Sequence, residues 1–309
     1  MKATSTDIST TLSSIRDYIR WSASRFTAEK LFFGHGTATA LDEACALVLY
    51  SLNQPYNLSA DYFSATLTMS ERLKVIDIIE RRIEERIPAA YLTHEAIFAG
   101  LSFYVDDRVL VPRSPMAELI EDCFSPWVDV EQVDNILDLC TGSGCIAIAC
   151  AYGFPDANID AVDLSAEALA VAKINHDKHD LQGQLQLIES DLFDKVADKK
   201  YDLIVSNPPY VAISEWQQLP SEYHAEPEMG FTGGESGLDL VFKILAESAD
   251  YLTETGVLFV EVGSSAETLQ KTFPNVPFYW LEFERGGDGV FMLSYQQLKE
   301  CAEEFKAVL

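Results

Sequence analysis

Basic residues are scarce in this sequence: 22 lysines and arginines stand against 49 aspartates and glutamates, a formal net charge of −27 over 309 residues. A surface this acidic repels nucleic-acid phosphate and lacks the basic stripe that sequence-independent binding uses. No direct nucleic-acid substrate is expected, whereas a basic protein partner is. Long apolar runs are also missing. None approaches the length needed to cross a bilayer, and the polar start Met1-Lys2-Ala3-Thr4-Ser5-Thr6 has no signal-peptide core behind it, so a soluble cytoplasmic protein without a membrane partner is expected. The six cysteines (Cys45, Cys123, Cys140, Cys145, Cys150 and Cys301) contain no Cys-x-x-Cys pair. They read as small buried side chains in a reducing compartment, with no disulfide or metal role. His35, between Gly34 and Gly36, has no second ligand at metal-binding spacing and reads as a turn residue. Internal repeats and low-complexity segments are absent.

The chain does have enough apolar residues, 48% hydrophobic, to bury a sizeable core in one large or two ordinary domains. Residues 7–92 read as helices. Ile15, Tyr18, Ile19 and residues 21–26 give one apolar pattern, residues 41–52 a second, and Leu73, Ile76, Ile79, Ile83 and Ile87 a third, with Thr68 and Ser70 placed to cap its start. The run Glu80, Arg81, Arg82, Glu84, Glu85, Arg86 on that third helix reads as a solvated charged face. Between Tyr91 and Pro112 the period changes. Residues 97–105 and 109–111 predict a hairpin or short strands joined by Asp106-Asp107, and helical spacing resumes over 116–124.

Beyond this joint, strands at 135–140, 159–162, 185–188, 203–205 and 257–262 alternate with helices at 145–152, 165–176 and 238–251. That alternation predicts an α/β fold with a parallel, doubly wound sheet. Residues 278–283 and 290–293, separated by Gly286-Gly287-Asp288-Gly289, predict two further strands with a tight connection, an antiparallel addition at the sheet edge.

Two stretches carry chemistry. Ile136-Leu137-Asp138-Leu139-Cys140-Thr141-Gly142-Ser143-Gly144-Cys145 is a strand, a glycine turn and a helix start, where a ligand can approach the backbone closely. Asp163 ends the next strand about twenty residues on, where a carboxylate can accept from both ribose hydroxyls. Asp138, four residues before the first glycine, repels a pyrophosphate and attracts a cation. S-adenosylmethionine, with a sulfonium and an ammonium and no phosphate, therefore fits better than NAD. Asp191 in Ser190-Asp191-Leu192-Phe193 follows the third strand and is placed to accept from an adenine amino group beside apolar side chains; a helix cap is the other reading.

The second stretch is Tyr201-Asp202-Leu203-Ile204-Val205-Ser206-Asn207-Pro208-Pro209-Tyr210. Its prolines cannot donate to a sheet ladder, so the strand must stop at Asn207. An amide is thereby presented at a strand's carboxyl end, where open α/β sheets bind ligands. Asn207 and the Pro208 carbonyl can accept from the two N–H groups of a planar amino or amide group, with Tyr210 covering its face. The same letters fit an ordinary proline turn, and the same grip suits the exocyclic amine of adenine or guanine. A module that holds S-adenosylmethionine without turnover is a further alternative.

With these residues in hand, the second half of the chain resembles the class I S-adenosylmethionine-dependent methyltransferases. Residues 95–119, with Phe103 and Val109-Leu110-Val111-Pro112-Arg113, then Glu226-Pro227 and Gly233-Gly234-Glu235-Ser236-Gly237-Leu238, extend the resemblance over nearly the whole chain to the protein-glutamine N5-methyltransferases of the HemK group. Pro112-Arg113-Ser114-Pro115-Met116-Ala117-Glu118-Leu119 is similar to the branch acting on large-subunit ribosomal protein three rather than to the release-factor branch. Cys140, where the group often has glycine, and Leu192, where release-factor enzymes tend to have an aromatic, are departures on the adenine side.

The resemblance implies a Rossmann-like, mostly parallel seven-stranded sheet with an antiparallel last strand. It also implies a helical substrate-recognition domain over 1–92, a hairpin linker over 93–112 and a methyltransferase domain over 113–309. Asp138, Cys140, Thr141, Gly142, Ser143, Gly144, Asp163, Asp191, Leu192 and Asn207 would hold S-adenosylmethionine. Asn207, Pro208, Pro209 and Tyr210, with Phe103 and Arg113, would hold the substrate, and Asn207, Pro208 and Tyr210 would carry catalysis. Glu261 matches a family position.

Overall fold

The computed structural model describes residues 5–196 and 199–309, so Met1-Lys2-Ala3-Thr4 of the polar start lie outside the described residues. The chain divides into two compact units, Met1–Ala96 with Pro220–Ala225, and Ile97–Leu219 with Glu226–Leu309.

The first unit is helical, with its main helices at Ile15–Ala28, Ala40–Ser51 and Met69–Glu85. Thr68 caps the third in a reciprocal box with Glu71, satisfying backbone donors that the first turn leaves open. Tyr18, Phe26, Leu47, Val48, Val75 and Ile79 are buried in the core between them. The charged run on the third helix is not uniformly solvated. Val75, Ile78, Ile79 and Arg82 fall at helical spacing on one stripe, so Arg82 is carried inward and fully buried, while Leu73, off the stripe, is half exposed. Its guanidinium donates to Glu43 Oε1 at 2.7 Å and to the Phe32 carbonyl at 3.0 Å. His35 lies in a bend as the glycines beside it require, but it is buried, its ring 4.6 Å from that of Tyr223.

The second unit begins with a hairpin, β1 (Ala96–Phe98) and β2 (Leu101–Phe103). Its turn residues Ala99 and Gly100 both have positive φ, 46° and 73°, the backbone that matches the twist of a two-residue hairpin. Residues 109–111, expected as a strand, join no ladder. The Val111 N–H is taken by the Glu226 carboxylate at 2.9 Å, and Asp106 binds the Arg108 backbone and side chain, so no ladder partner is needed.

Seven strands form the main sheet: β3 (Asn135–Leu139), β4 (Asn158–Asp163), β5 (Leu185–Glu189), β6 (Tyr201–Ser206), β7 (Leu252–Glu261), β8 (Tyr279–Trp280) and β9 (Val290–Ser294), in the order β5-β4-β3-β6-β7-β9-β8. The first five are parallel and β9 is antiparallel to both neighbours. Side chains alternate between two buried faces. Ile136, Leu203, Val205 and Phe259 pack with the helix Cys145–Gly153, whereas Leu137, Ile204, Leu258 and Val260 pack with the helix Asp239–Glu247. Burial on both faces explains why these strands read as continuous apolar runs. The C-terminal pair departs from expectation. The antiparallel strand β9 inserts between β7 and β8 rather than lying at the edge, and residues 281–289 make a long connection instead of a tight turn. Val290, Phe291 and Leu293 are fully buried, and such a strand needs neighbours on both sides.

Removing one member of a buried ion pair leaves the other charge uncompensated, which costs about 3–5 kcal/mol. Arg82→Ala is therefore expected to destabilise the helical unit by that amount in urea unfolding followed by circular dichroism, whereas Arg81→Ala, on the exposed side of the same run, is expected to fall within about 0.5 kcal/mol of the parent.

Candidate active site

Strand order reverses between β3 and β6, since β4 and β5 lie on one side and β6 and β7 on the other. Such a reversal opens a crevice at the carboxyl ends of the two central strands. Register places Leu139 beside Ser206 and Val162 beside Leu139, and Ser206 lies beside Val260. Asp163, Cys140, Asn207 and Glu261 therefore lie in sequence along one rim, each at or just past the end of an adjacent strand.

Asp138 is fully buried. Its Oδ2 accepts from Thr141 Oγ1 at 2.6 Å and from the Ala147 N–H at 3.1 Å, so one carboxylate oxygen ties the glycine loop to the helix that follows it. Its Oδ1 is buried with no hydrogen-bond partner among the described residues. Burial pushes this carboxyl up to about 7, against the pull of Thr141 and Ala147. An uncompensated buried acceptor is costly unless a donor, best a cationic one, reaches it.

The loop itself is pinned from three sides. The Thr141 N–H donates to the Val162 carbonyl at 2.9 Å, the Gly142 N–H to Asp163 Oδ2 at 2.8 Å, and the Ser143 carbonyl accepts from Asn175 Nδ2 at 2.9 Å. Gly142 has φ +56° and nothing within 4 Å of where a Cβ would stand, so its backbone is open to close approach on that side. Gly144 starts the helix in the left-handed region, close against Ala172. Cys140 takes φ +60° without being glycine, a conformation that costs a side-chain residue about 1 kcal/mol or more. Burial, with Asp163 and Asp138 beside it, pushes its thiol up, so it stays neutral.

Asp163 does more than the sequence indicated. Besides latching Gly142, its Oδ1 accepts from the Ser165 N–H at 2.8 Å, and each oxygen keeps lone-pair capacity for a hydroxyl. Burial raises it, opposed by those backbone donors. Asp191 is exposed just beyond β5, while Leu192 beneath it is buried with φ 42° and Phe193 stacks on Tyr251 at 4.4 Å.

On the other side of the switch point, β6 ends at Ser206, whose Oγ donates to the Leu139 carbonyl at 2.9 Å. Asn207 follows, half-buried, and its carboxamide makes no hydrogen bond to the described residues. Pro208 is buried, while Pro209 and Tyr210 are half-buried. The segment is enclosed by close backbone approaches: a Cβ on Gly233 would stand 2.5 Å from the Pro209 carbonyl oxygen, and one on Gly263 2.6 Å from the Tyr210 ring. These contacts explain the glycine cluster at 233–237 and the glycine after β7, whose roles sequence reasoning did not assign. Tyr210 donates to Glu261 Oε1 at 2.9 Å, and Ser114 Oγ donates to Glu261 Oε2.

Of the two further residues tied to the substrate by resemblance, one is buried and the other half-buried. Phe103 is fully buried against Phe98 and His179. Arg113 is bound by Glu226 through Nη1 at 2.9 and 3.0 Å and lies over Phe231. Among the described residues no group of histidine, cysteine or acidic side chains is arranged to hold a metal ion, and no helix is long and apolar enough to cross a membrane.

The doubly wound sheet, with its antiparallel strand next to the edge and a glycine loop and acids at the switch point, defines a class I, Rossmann-like methyltransferase. Residues 123–219 match the methyltransferase small domain family. The chain is 48% identical over 97% of its length to the ribosomal protein uL3 glutamine methyltransferase of Francisella tularensis, covering 96% of that protein. It is 50% identical over 93% of its length to the Neisseria gonorrhoeae enzyme of the same name, again covering 96%. The chain belongs to the ribosomal protein uL3 glutamine methyltransferase family. Among solved structures, the catalytic domain of hMettl16 in complex with the MAT2A 3′UTR hairpin 6 superposes with a TM-score of 0.50 at 16% identity, over 73% of this chain and 81% of that one, a likeness of fold alone.

The rim fits S-adenosylmethionine on its own observations: an orphaned buried carboxylate oxygen for a cation, an open glycine backbone and a strand-end acid for hydroxyls. Asp138 gives this fit a measurable sign. Its folded value lies above the ordinary 3.8, so the ligand-free protein holds the proton more tightly than the unfolded chain, and this group's contribution to stability falls as pH rises from about 4 to about 7. A cation beside Oδ1 favours the ionised form instead. Calorimetric affinity for S-adenosylmethionine is expected to rise up to tenfold per pH unit between about pH 5 and 7 and then level off, and Asp138→Asn to bind weakly with no such slope. A wild-type affinity flat over that interval would remove Asp138 from the cation site.

Proposed function

We propose that this protein transfers a methyl group from S-adenosylmethionine to the side-chain amide nitrogen of a glutamine in ribosomal protein uL3, in the cytoplasm, and that its helical unit takes part in recognising that basic substrate. The observation that carries the reading is Asn207: a half-buried carboxamide with no hydrogen bond to the described residues, at the end of the strand next to the glycine loop. Full-length kinship with two uL3 glutamine methyltransferases supports the choice of substrate, and a net charge of −27 suits a basic protein.

Bound S-adenosylmethionine supplies an electrophilic methyl on a sulfonium. Asp138, with residues 140–144, Asp163, Asp191 and Leu192, holds the cofactor; Asn207, Pro208, Pro209 and Tyr210 hold the glutamine. An amide nitrogen is a poor nucleophile because its lone pair is delocalised into the carbonyl. The Asn207 side-chain oxygen and the Pro208 carbonyl accept its two N–H bonds in a geometry that favours the pyramidal nitrogen of the transition state. Tyr210 covers the amide and keeps water from it. No base is needed beforehand, because the nitrogen sheds its proton readily once methylated and positive. Phe103 and Arg113 contribute through packing: Phe103 as the buried end of β2, Arg113 by fixing the chain on Glu226.

The test is transfer from labelled S-adenosylmethionine to purified uL3 and, separately, to peptide chain release factors, with the modified residue located by tandem mass spectrometry. Label on a uL3 glutamine and none on release factors is expected; the reverse would reassign the substrate. Asn207→Ala is expected to bind S-adenosylmethionine within about threefold of the parent yet lose about 10²–10³-fold in turnover. A variant that transfers at the parental rate would exclude the role given to Asn207.

A further inference from the structure

Glu261 ends β7 level with Asn207 on the rim and is 5% exposed. A carboxylate so far from water is costly, and an apolar side chain of similar size would serve a merely structural need as well. This one has two directed donors. Tyr210 donates to Oε1 at 2.9 Å, and Ser114 Oγ donates to Oε2 at 2.5 Å. Ser114 also accepts from the Met116 N–H at 3.1 Å, which commits its own proton to Glu261. Burial still pushes Glu261 up, opposed by these two hydrogen bonds and by the charge of Arg113.

Tyr210 is held at its backbone and along one edge of its ring, and Glu261 adds a hold at the phenol. The backbone is held by Ser265, whose Oγ donates to the Tyr210 carbonyl at 2.8 Å. The ring lies against Gly263, where an added Cβ would come within 2.6 Å of it, and Gly263 is itself backed by Gly289, where a Cβ would stand 2.2 Å from the Gly263 carbonyl oxygen. Swinging the ring about the Cα–Cβ bond would carry the phenol oxygen with it. A phenol bonded to a fixed, buried acceptor opposes that swing.

We infer that Glu261, aimed by Ser114, is a positioning residue that fixes where the Tyr210 ring sits over the amide site and influences transfer only through that ring. The inference rests on the reading that Asn207, Pro208, Pro209 and Tyr210 grip the glutamine amide. Acting through Tyr210 has a signature: once the phenol is gone, changing the carboxylate has nothing further to remove.

Tyr210→Phe, Glu261→Gln and the double variant are compared for kcat and KM on the wild-type enzyme's protein substrate, for S-adenosylmethionine affinity and for melting temperature. Each single change is expected to lower kcat about tenfold, with KM and cofactor affinity within twofold, and the double variant to be no slower than the slower single one. Glu261→Gln keeps the side chain's size, so folding is retained, and Ser114→Ala is expected to give a smaller loss of the same kind. Fluorotyrosine labelling provides a readout independent of any substrate: the fluorine resonance of residue 210, assigned by its loss in Tyr210→Phe, is expected to shift or broaden in Glu261→Gln. Losses that multiply in the double variant, or an unmoved resonance, would overturn the inference. A wild-type enzyme inactive on uL3 while the resonance moves would instead count against the proposed substrate.

Discussion

The site depends on one adjacency, β3 beside β6 where the strand order turns back on itself. Ser206 stands level with Leu139 and donates to its carbonyl across the strand ends, so the two loops leaving these strands start about one strand spacing apart, roughly 4.8 Å. One loop is built to approach a ligand with its backbone, the other to present an amide. Neither could do its part from a different strand. Pro208 and Pro209 make the arrangement sharp, because a strand that cannot donate beyond Asn207 must release the chain there.

Around that adjacency the rim is stiffened mainly by carboxylates bonded to backbone N–H groups and by glycines that let loops touch. Asp163 joins the glycine loop of β3 to the helix after β4, Asp138 joins the same loop to its own helix, and Glu226 holds Val111 and Arg113 in a segment outside the sheet. Hydrogen bonds to charged acceptors are stronger than neutral ones, and a carboxylate can serve two donors at once. A strongly acidic sequence thus has internal uses for some of its excess acids, while the remainder sets the sign of the surface.

What could be read in the sequence was whatever has a short period or a local signal. The alternating strands and helices, the capping Thr68, the glycine turn after β3 and the stop at Asn207 are all properties of contiguous residues. Arg82 was legible in principle, since it extends the spacing of Val75, Ile78 and Ile79, but its charge argued for the surface, and only its distant partner Glu43 explains the burial. The place of β9 was hidden for a different reason: antiparallel pairing says which way a strand runs, not which neighbours it lies between. The contacts of Glu261 with Ser114, and of Gly233 with Pro209, join residues far apart in the chain and leave no trace in local pattern.

Charge along the rim is ordered, and the order bears on which atoms react. Asp163 and Asp138 come first, neutral Asn207 comes next, and Glu261 beyond it is occupied by the hydroxyls of Tyr210 and Ser114. A free carboxylate at position 207 would be drawn to the sulfonium rather than to the weakly polarised amide N–H groups, stabilising the charged reactant instead of the transition state. A neutral carboxamide would accept the N–H without competing for the cation. On the proposed reading the amide nitrogen would gain positive charge as it is methylated, and acceptors already bound to its N–H groups would bear on a charge that did not exist before transfer. That stabilisation would be greatest where it accelerates the reaction, which calls for acceptors that are polar and fixed in place.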